Sequence, residues 1–440
     1  MDSKWSHADL EDLKSRDALR GINDDISLSI YCTRLIGADP NLVLHGGGNT
    51  SVKTVQEDLF GNEVDVLCIK GSGWDMAEIL PAGLPPVRLA QLRQLKSLET
   101  LSDEDMVSYI RSNLLDSTSP TPSVETLSHA FLPHKFVNHS HASAILSVTN
   151  QPNGEDLCRE IFGSSMGIVP YIMPGFGLAK KSSEVFEDNP GVDGLILLNH
   201  GIFTFSDDAE TSYQHMIDAI STVENRLVDG KTHVFEPVTF ASRLQPLSSV
   251  APIIRGVCIS RDERLGKGTN APQNKLILDF RSTDQILEFV NGKEIERYSQ
   301  GGVATPDHVI RTKNWPLVLP LPEDTGNGDF RERTEHLASI FQQRYDSYFH
   351  RQVERRKLQK TKLDSAPRVV LVPGLGLFGI GRDRNEAVIA ADIAESFVQT
   401  ITNAESIGEY KTLDESDVFD VEYWSLEQAK LSKACTQPLL

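Results

Sequence analysis

The sequence predicts an α/β fold, because short runs of branched aliphatic residues alternate along the chain with stretches of helical periodicity. Five such runs, each ended by glycine or a polar turn, are NLVLHGG, EVDVLCIKG, FVNHSHASAILSV, GLILLNHGIFTF and PRVVLVPGLG. Residues 25 to 37 and 83 to 115 carry apolar side chains at helical spacing. The segment from Ser206 to Gly230 predicts a further helix, because acidic residues open it and a glycine ends it.

The composition is that of a globular protein with an excess of acid. The chain has 440 residues, of which 39 % are hydrophobic and 24 % charged, so it is long enough for two or three domains. It carries 62 acidic and 43 basic residues, for a formal net charge of −19. This charge argues against nucleic acid and anionic membranes as partners, because both select basic surfaces. A small phosphorylated ligand stays compatible, because its site needs only local hydrogen-bond donors.

The cysteines and the N-terminal residues indicate where the protein works. Cys32, Cys68, Cys158, Cys258 and Cys435 lie far apart without metal-like spacing, and an odd number suits a reducing compartment. The first residues lack an apolar signal region, and no apolar run reaches the roughly 18 residues that a membrane helix needs. We therefore expect a cytoplasmic protein without a membrane segment.

A boundary between domains is expected near residues 237–252, which contain proline and lack a clear pattern. The sequence thus predicts a catalytic domain at 1–240, a second α/β region at 250–431 and a tail at 432–440.

The second region contains a sequence pattern that also occurs in the first. The strand, glycine-containing turn, strand and helix predicted for residues 195–217 recur at 369–389, but the copy lacks the histidine. The second region is therefore either a degenerate repeat of the first or an unrelated unit with a similar local pattern.

The strongest chemical signal is the pair His139 and His141 on a predicted strand. Side chains at i and i+2 of a strand point to the same face, so the two imidazoles can bind one cation. His200 follows the run LILLN at a predicted strand end, where it could complete a three-histidine site with a fourth position for substrate or water. The alternative is that these histidines are structural and have hydrogen-bond partners in the core.

Glu125 lies 14 residues before His139 and is a candidate proton-transfer group beside such a cation. It is equally a candidate for a carboxylate at the start of a helix that follows Ser123. The spacing alone leaves both interpretations open.

Two glycine-rich segments, residues 45–51 (HGGGNTS) and 70–73 (KGSG), follow predicted strands. Glycine lets backbone N–H groups approach an anion, and the polar side chains add further donors and charge. Each segment is otherwise simply a tight turn, and neither matches the Walker pattern.

Residues 374–379 (GLGLFG) match the Gly-x-Gly-x-x-Gly signature of dinucleotide sites. In such a site a helix begins within the motif, so that its N-terminus faces the pyrophosphate. Here a second strand is predicted at Phe378 to Ile380, and the helix is predicted to start near Arg384. The sequence therefore favours a β-hairpin over an NAD site.

Six motifs in a fixed order resemble the class II aldolase/adducin family, which includes fuculose- and rhamnulose-1-phosphate aldolases. They are NLVLHGGGNTSVK, IKGSGWDM, PSVETLSHA, NHSHASAI, YIMPGFGLAKK and LLNHGIFTF, and they span about residues 25–235. The form GGGNTSVK and the later GGVATPDHVIRT and VLVPGLGLFGIGRDRNEA resemble the aldolase portion of bifunctional rhamnulose-1-phosphate aldolase/short-chain dehydrogenase proteins. The chain lacks TGxxxGxG and Tyr-x-x-x-Lys, so we expect the dehydrogenase portion to be absent.

This resemblance implies a three-layer α/β/α fold with a largely antiparallel central sheet, and a homo-oligomer. It implies Zn²⁺, or another divalent metal, held by His139, His141 and His200, with Glu125 as the proton-transfer group. The family also uses a tyrosine from a neighbouring subunit, which the sequence does not identify.

The resemblance further implies a site for the substrate phosphate at Asn49, Gly71, Ser72 and Ser123. His129 stands where the family often has a histidine after the glutamate, and the resemblance gives it no role. In the second region, Arg311 or Lys313 could also reach a phosphate.

The expected activity is cleavage of a ketose 1-phosphate, with rhamnulose 1-phosphate as the favoured substrate, to dihydroxyacetone phosphate and lactaldehyde through a metal-stabilised enediolate. The same metal chemistry serves a phosphosugar 4-epimerase or a dehydratase. Adducin-like members of the family are non-catalytic binding modules, which is a third interpretation. For the enzyme, the expected partner is a small phosphorylated sugar.

Overall fold

The computed structural model describes residues 1–240, 243–259, 276–324 and 329–433. They form two compact units, the first comprising Met1–Asp229 with the described residues from Ala429 onwards and the second Gly230–Gln428. Most of the predicted tail, residues 434–440 with Cys435, lies outside the described residues. None of the described helices is long and apolar enough to cross a lipid bilayer.

The described residues of the first unit contain a sheet of seven strands. In spatial order these strands are β3 (Pro86–Arg88), β2 (Glu63–Ile69), β1 (Asn49–Glu57), β4 (Phe136–Ser140), β7 (Gly201–Ser206), β6 (Gly194–Leu197) and β5 (Met166–Val169). Neighbouring strands are antiparallel except β5 and β6, which are parallel. The prediction of a largely antiparallel central sheet is therefore confirmed.

The helices of this unit precede the first strand, lie between later strands or follow the last strand. They are α1 (His7–Ala18), α2 (Asp24–Gly37), α3 (Leu89–Gln94), α4 (Asp103–Ser112), α5 (Thr126–Phe131), α6 (Ser143–Thr149), α7 (Gly154–Phe162), α8 (Phe176–Asp188) and α9 (Ala209–Val228). The predicted helix after Ser206 is α9, whose N-cap Asp208 accepts a hydrogen bond from the backbone N–H of Thr211.

Strand β2 shows why helices cover both faces of this sheet. Val66 packs in one buried cluster with Ile30 of α2, whereas the adjacent Leu67 packs in another cluster with Leu92 of α3. Because alternate side chains of a strand point to opposite faces, both faces are apolar and must be buried. The sheet with a helical layer on each side confirms the predicted three-layer α/β/α fold.

The described residues of the second unit contain a sheet of four strands. In spatial order they are β8 (Ile277–Arg281), β11 (Gly376–Gly381), β10 (Val369–Val372) and β9 (Leu317–Val318). The helices described after residue 230 are α10 (Leu247–Val257), α11 (Asp284–Val290), α12 (Ile295–Tyr298), α13 (Val309–Thr312), α14 (Asp329–Arg356), α15 (Arg384–Ile407), α16 (Glu415–Glu422) and α17 (Ser425–Lys433).

Strands β10 and β11 reproduce the local geometry of β6 and β7. Leu197 pairs with Gly201 in the first hairpin as Val372 pairs with Gly376 in the second. Each turn has a left-handed residue in the same place, namely Asn199 with φ 57° in one turn and a glycine with φ 80° in the other. The glycines of the GLGLFG motif thus lie in a β-hairpin, and α15 begins only at Arg384, as the sequence predicts.

The elements beside these hairpins match as well. Asp208 and Asp383 both cap the following helix by accepting from the backbone N–H three residues further on. The neighbouring strands pair at equivalent places, because Ile202 lies opposite Ser140 and Leu377 lies opposite Arg281. These correspondences support the interpretation of the second unit as a degenerate repeat, which stays a prediction.

Candidate metal centre

Three histidines meet at the edge of the first sheet where β4 ends and β7 begins. His139 is the fourth residue of β4, His141 is the first residue after that strand, and His200 immediately precedes β7. Their ligand atoms all lie within 4.8 Å of one another. The structure thus brings together the three histidines that the sequence analysis selected.

The hydrogen bond of His139 fixes which ring nitrogen can bind a metal. His139 is fully buried, and its Nδ1 donates to the backbone carbonyl of Ile202 over 3.0 Å. A ring nitrogen that donates to a carbonyl leaves the lone pair on the other nitrogen, which is how ligand histidines are commonly oriented. Nε2 of His139 therefore presents its lone pair toward the other two histidines.

The donor set fits a divalent cation such as zinc. Nε2 of His139 lies 3.0 Å from Nε2 of His141. Zinc binds imidazole nitrogen at about 2.0 to 2.1 Å, which places two nitrogens of a tetrahedral site about 3.3 Å apart. Two lone pairs at such a separation repel each other unless a proton or a metal ion lies between them.

Two glycines leave room for the His141 ring. A Cβ atom on Gly47 would lie 3.3 Å from Nδ1 of His141, and one on Gly201 would lie 3.1 Å from Cδ2 of the same ring. Position 201 has no room for a side chain, because a Cβ atom there would lie 2.3 Å from the carbonyl oxygen of Ser140. The glycine-rich segment 45–51 is thus part of the wall around the histidines.

Glu125 lies directly beside the histidines. Its Oε2 is 3.4 Å from Nε2 of His139 and its Oε1 is 3.6 Å from Nε2 of His200. Glu125 precedes α5, but its side chain makes no capping hydrogen bond. Of the two interpretations left open by the sequence, this geometry favours a group that acts at the histidine cluster.

Charge governs the protonation of this carboxyl group. Burial raises the pKa of Glu125, but the positive charge of His139, His200 and His141, when these imidazoles are protonated, and the hydrogen bond from Asn49 outweigh burial and bring the pKa to about 2. The carboxylate is therefore ionised and can only accept hydrogen bonds.

Asn49 and Ser123 lie next to Glu125. The side-chain Nδ2 of Asn49 donates to Oε2 of Glu125 over 2.6 Å and to Oγ of Ser123 over 3.2 Å. Ser123 Oγ also accepts the backbone N–H of Glu125. These two residues of the expected phosphate site thus hold the carboxylate in place.

Gly71 and Ser72 lie on a loop whose backbone donors are already used. The N–H of Gly71 donates to the carbonyl of Gly83, and the N–H of Ser72 donates to the carbonyl of Thr121, both over 2.8 Å. Within the described part of the chain the Ser72 hydroxyl makes no hydrogen bond, so it is the donor that this loop can offer to a ligand. A Cβ at Gly71 would lie 3.0 Å from the side chain of Pro120, so that glycine provides space.

His129 and Ser51 belong to the site, although the sequence analysis assigned them no role. His129 is fully buried, and its two ring nitrogens contact Ser51 Oγ and Asn49 Oδ1. Burial holds the pKa of His129 well below its ordinary value, so the ring is neutral. The one sequence signal was its position, one helical turn after Glu125.

Lys313 of the second unit has protein partners. Lys313 is buried, with its Nζ 3.8 Å from a carboxylate oxygen of Glu422 and 4.0 Å from the ring centre of Tyr345. Arg311 lies in the short helix α13, which ends directly before Lys313. The idea that either residue reaches a phosphate stays a prediction.

Comparison with known protein families gives the class of this chain. The model described as Class II Aldolase and Adducin N-terminal domain matches residues 29–226, and the model described as Aldolase class II, second domain, matches residues 245–431. The chain belongs to the class II aldolase/adducin family.

Individual relatives match different parts of this chain. An uncharacterized oxidoreductase, YuxG of Bacillus subtilis, is 33 % identical over 413 residues, which are 92 % of this chain and 58 % of that protein. The chain thus spans little more than half the length of this relative. Among solved structures, the N-terminal class II aldolase domain of a conserved protein from Thermoplasma acidophilum is 39 % identical, with a TM-score of 0.46, and covers 52 % of this chain and 99 % of its own. An L-fuculose-1-phosphate aldolase from Thermus thermophilus is 16 % identical, with a TM-score of 0.30, and covers 46 % of this chain and 94 % of its own.

Proposed function

We propose that this protein is a zinc-dependent class II aldolase that cleaves rhamnulose 1-phosphate to dihydroxyacetone phosphate and lactaldehyde. The observation that carries the proposal is the Glu125 carboxylate, 3.4 Å from His139 and 3.6 Å from His200. A general acid or base must lie within reach of the atoms that a metal activates, and Glu125 has that position. The choice of substrate rests on the resemblance of the motifs to rhamnulose-1-phosphate aldolases.

His139, His141 and His200 are the proposed ligands of the metal. A zinc ion bound there supplies Lewis acidity, which stabilises the negative charge that develops as the carbon–carbon bond breaks. The neutral imidazoles suit this task, because they leave most of the charge of the cation to act on the substrate.

Glu125 moves the proton of the reaction. In the cleavage direction the carboxylate takes up the proton that the substrate hydroxyl beside the breaking bond loses, and it delivers this proton to the carbon that becomes part of dihydroxyacetone phosphate. In the reverse direction it removes the proton from that carbon and returns it to the new hydroxyl. Asn49 donates to Oε2 and thereby leaves Oε1, which faces His200, as the oxygen that carries the proton.

The substrate phosphate is proposed to bind at the segments that carry Asn49, Gly71, Ser72 and Ser123. Backbone hydrogen bonds join two of these segments, because Ser72 N–H donates to Thr121 and Ser123 N–H donates to Lys70. The hydroxyls of Ser72 and Ser123 are the expected donors, and Gly71 contributes space.

The proposal is tested by the release of dihydroxyacetone phosphate from rhamnulose 1-phosphate. The protein is assayed as purified, after treatment with a chelator, and after zinc is added back, with fuculose 1-phosphate as the alternative substrate. We expect release from rhamnulose 1-phosphate that the chelator abolishes and zinc restores.

Other outcomes would replace the proposal with one of the alternatives. Release from fuculose 1-phosphate alone would keep the aldolase and change its substrate. Conversion of a phosphosugar without carbon–carbon cleavage would indicate an epimerase or a dehydratase. Zinc-loaded protein without any turnover would indicate a binding module.

We also propose that the protein is a cytoplasmic homo-oligomer, as the resemblance and the cysteine content suggest. Light scattering on the eluate of a size-exclusion column tests the oligomer, and a mass equal to one chain would contradict it.

A further inference from the structure

A chain of buried hydrogen bonds leads from Ser51 to Glu125. Ser51 Oγ lies 2.8 Å from Nδ1 of His129, and Nε2 of His129 lies 2.5 Å from Oδ1 of Asn49. Nδ2 of Asn49 then lies 2.6 Å from Oε2 of Glu125. All four residues are buried.

The chemistry of these groups gives the chain one direction. Nδ2 of Asn49 donates to Oε2 of Glu125, so the amide turns its NH₂ group toward Glu125 and its carbonyl oxygen toward His129. Nε2 of His129 must then carry the proton, and Nδ1 must accept from the Ser51 hydroxyl. Each group therefore fixes the orientation of the next.

The local fold explains why His129 can reach the same amide as Glu125. Glu125 is the N-cap of α5, and His129 follows four residues later, so both side chains lie on one face of the helix. Asn49 faces them from the start of β1, because it pairs with His139 of β4. The rings of Phe203 and His129 pack in a T-shaped arrangement with their centres 5.3 Å apart, which restricts the rotation of the imidazole further.

We propose that His129 is a positioning residue for proton transfer at Glu125, acting through the amide of Asn49. Its Nε2–H holds Asn49 so that the amide donates to Oε2, and this directs the transferred proton to Oε1. The role rests on the aldolase function proposed above, because it concerns the proton that Glu125 exchanges with the substrate.

The test compares His129→Leu, which cannot donate to Asn49, with His129→Gln, whose side-chain amide can. The readout is the exchange with D₂O of a hydrogen on the hydroxymethyl carbon of dihydroxyacetone phosphate. The exchange is catalysed by zinc-loaded protein and is monitored by proton NMR. This half-reaction reports proton transfer without carbon–carbon bond formation. We expect exchange to fall by about 10- to 100-fold in His129→Leu, as is typical when the partner of an active-site group is lost, and to stay close to wild type in His129→Gln.

Two further measurements separate this role from a general loss of structure. Zinc content should be unchanged in both variants, since neither removes a proposed ligand. Nitrogen-15 NMR of histidine-labelled protein should show the Nε2–H tautomer at His129, and this readout does not depend on any activity. His134→Leu, at a half-buried histidine outside the hydrogen-bond chain, is the matched control and should exchange at the wild-type rate.

The outcomes distinguish the two proposals. Normal exchange in His129→Leu, equal losses in the Leu and Gln variants, or an Nδ1–H tautomer would each overturn the role of His129 and leave the aldolase intact. Wild-type protein that holds zinc but exchanges no hydrogen would overturn the aldolase proposal and the role of His129 with it.

Discussion

Replacing Glu125 by glutamine isolates proton transfer from metal binding. Glutamine has nearly the same shape, and its carbonyl oxygen can still accept from Nδ2 of Asn49, which reaches Oε2 over 2.6 Å. The amide cannot exchange a proton at neutral pH, so kcat should fall by about 10² to 10⁴-fold, which corresponds to about 3 to 5 kcal/mol of activation free energy. Zinc content should stay at the wild-type level, because the three histidines are untouched.

The assay couples the release of dihydroxyacetone phosphate to NADH oxidation by glycerol-3-phosphate dehydrogenase, and zinc is counted by mass spectrometry on the same samples. Glu155→Gln is the control, because Glu155 is exposed and forms an ion pair with Arg159 of its own helix. A Glu125→Gln enzyme that keeps its zinc and most of its turnover would refute the proton-transfer role. Loss of the zinc would instead make Glu125 a metal ligand.

Three further predictions address the wall of the site and the stability of the fold. Gly47→Ala should weaken zinc binding by about 10- to 100-fold in a chelator competition, because the new Cβ would lie 2.9 Å from the carbonyl oxygen of Leu44 and 3.3 Å from His141 Nδ1 and would therefore displace the His141 ring. Lys313→Met should lower the free energy of unfolding in urea by about 3 to 5 kcal/mol, because the buried carboxyl of Glu422 keeps its hydrogen bond from Tyr345 but loses its cationic partner, and adding Glu422→Gln should recover part of this. Burial raises the pKa of Cys68 from 9.0 to about 12, so between these pH values the folded state keeps a proton that the unfolded state loses. The free energy of unfolding should therefore fall as the pH rises from 9 to 12, and it should fall less in Cys68→Ala.

Each of these has an outcome that would contradict it. Gly191→Ala, at a glycine with no neighbour within 4 Å, controls for the glycine substitution, and equal loss of zinc in both variants would remove the steric argument. Wild-type stability in Lys313→Met would mean that the pair with Glu422 contributes nothing. An unchanged alkaline slope in Cys68→Ala would assign that slope to other groups.

The sequence was sufficient for the residues whose placement depends on local geometry. The two-residue period of a strand puts His139 and His141 on one side, and their Nε2 atoms are 3.0 Å apart although His141 lies just beyond the strand. His200 was selected as a residue at a strand end, and it stands in the turn that joins β6 to β7. Such rules act over a few residues and need no knowledge of the tertiary fold.

The roles that sequence could not supply depend on pairings between distant segments. His129 acquires its partner because β1 pairs with β4 and brings Asn49 to α5. The loop at Gly71 and Ser72 looked like a source of backbone donors, yet those N–H groups bond to Gly83 and Thr121. Neither fact is visible before the strands and loops have found their neighbours.

The correspondence between the two units bears on how many metal ions the chain can hold. Phe280 of β8 pairs with Phe378 of β11 as His139 of β4 pairs with Phe203 of β7. The ring pairs are alike too, with centres 4.9 Å apart in the second unit and 4.4 Å apart in the first. At the place of His139, the second unit therefore has a phenylalanine, which cannot bind a metal.

The other two corresponding positions also have residues other than histidine. By the same correspondence Ser282 stands for His141 and Leu375 for His200, and the Ser282 hydroxyl is engaged with the carbonyl of Leu375. We therefore expect about one zinc ion per chain, held by the first unit alone. His139→Ala should remove it together with the activity, whereas Phe280→Ala should leave it in place, as mass spectrometry of the dialysed proteins would show. Two zinc ions per chain in the wild type, or one zinc ion per chain retained by His139→Ala, would contradict the expectation that the first unit alone binds zinc.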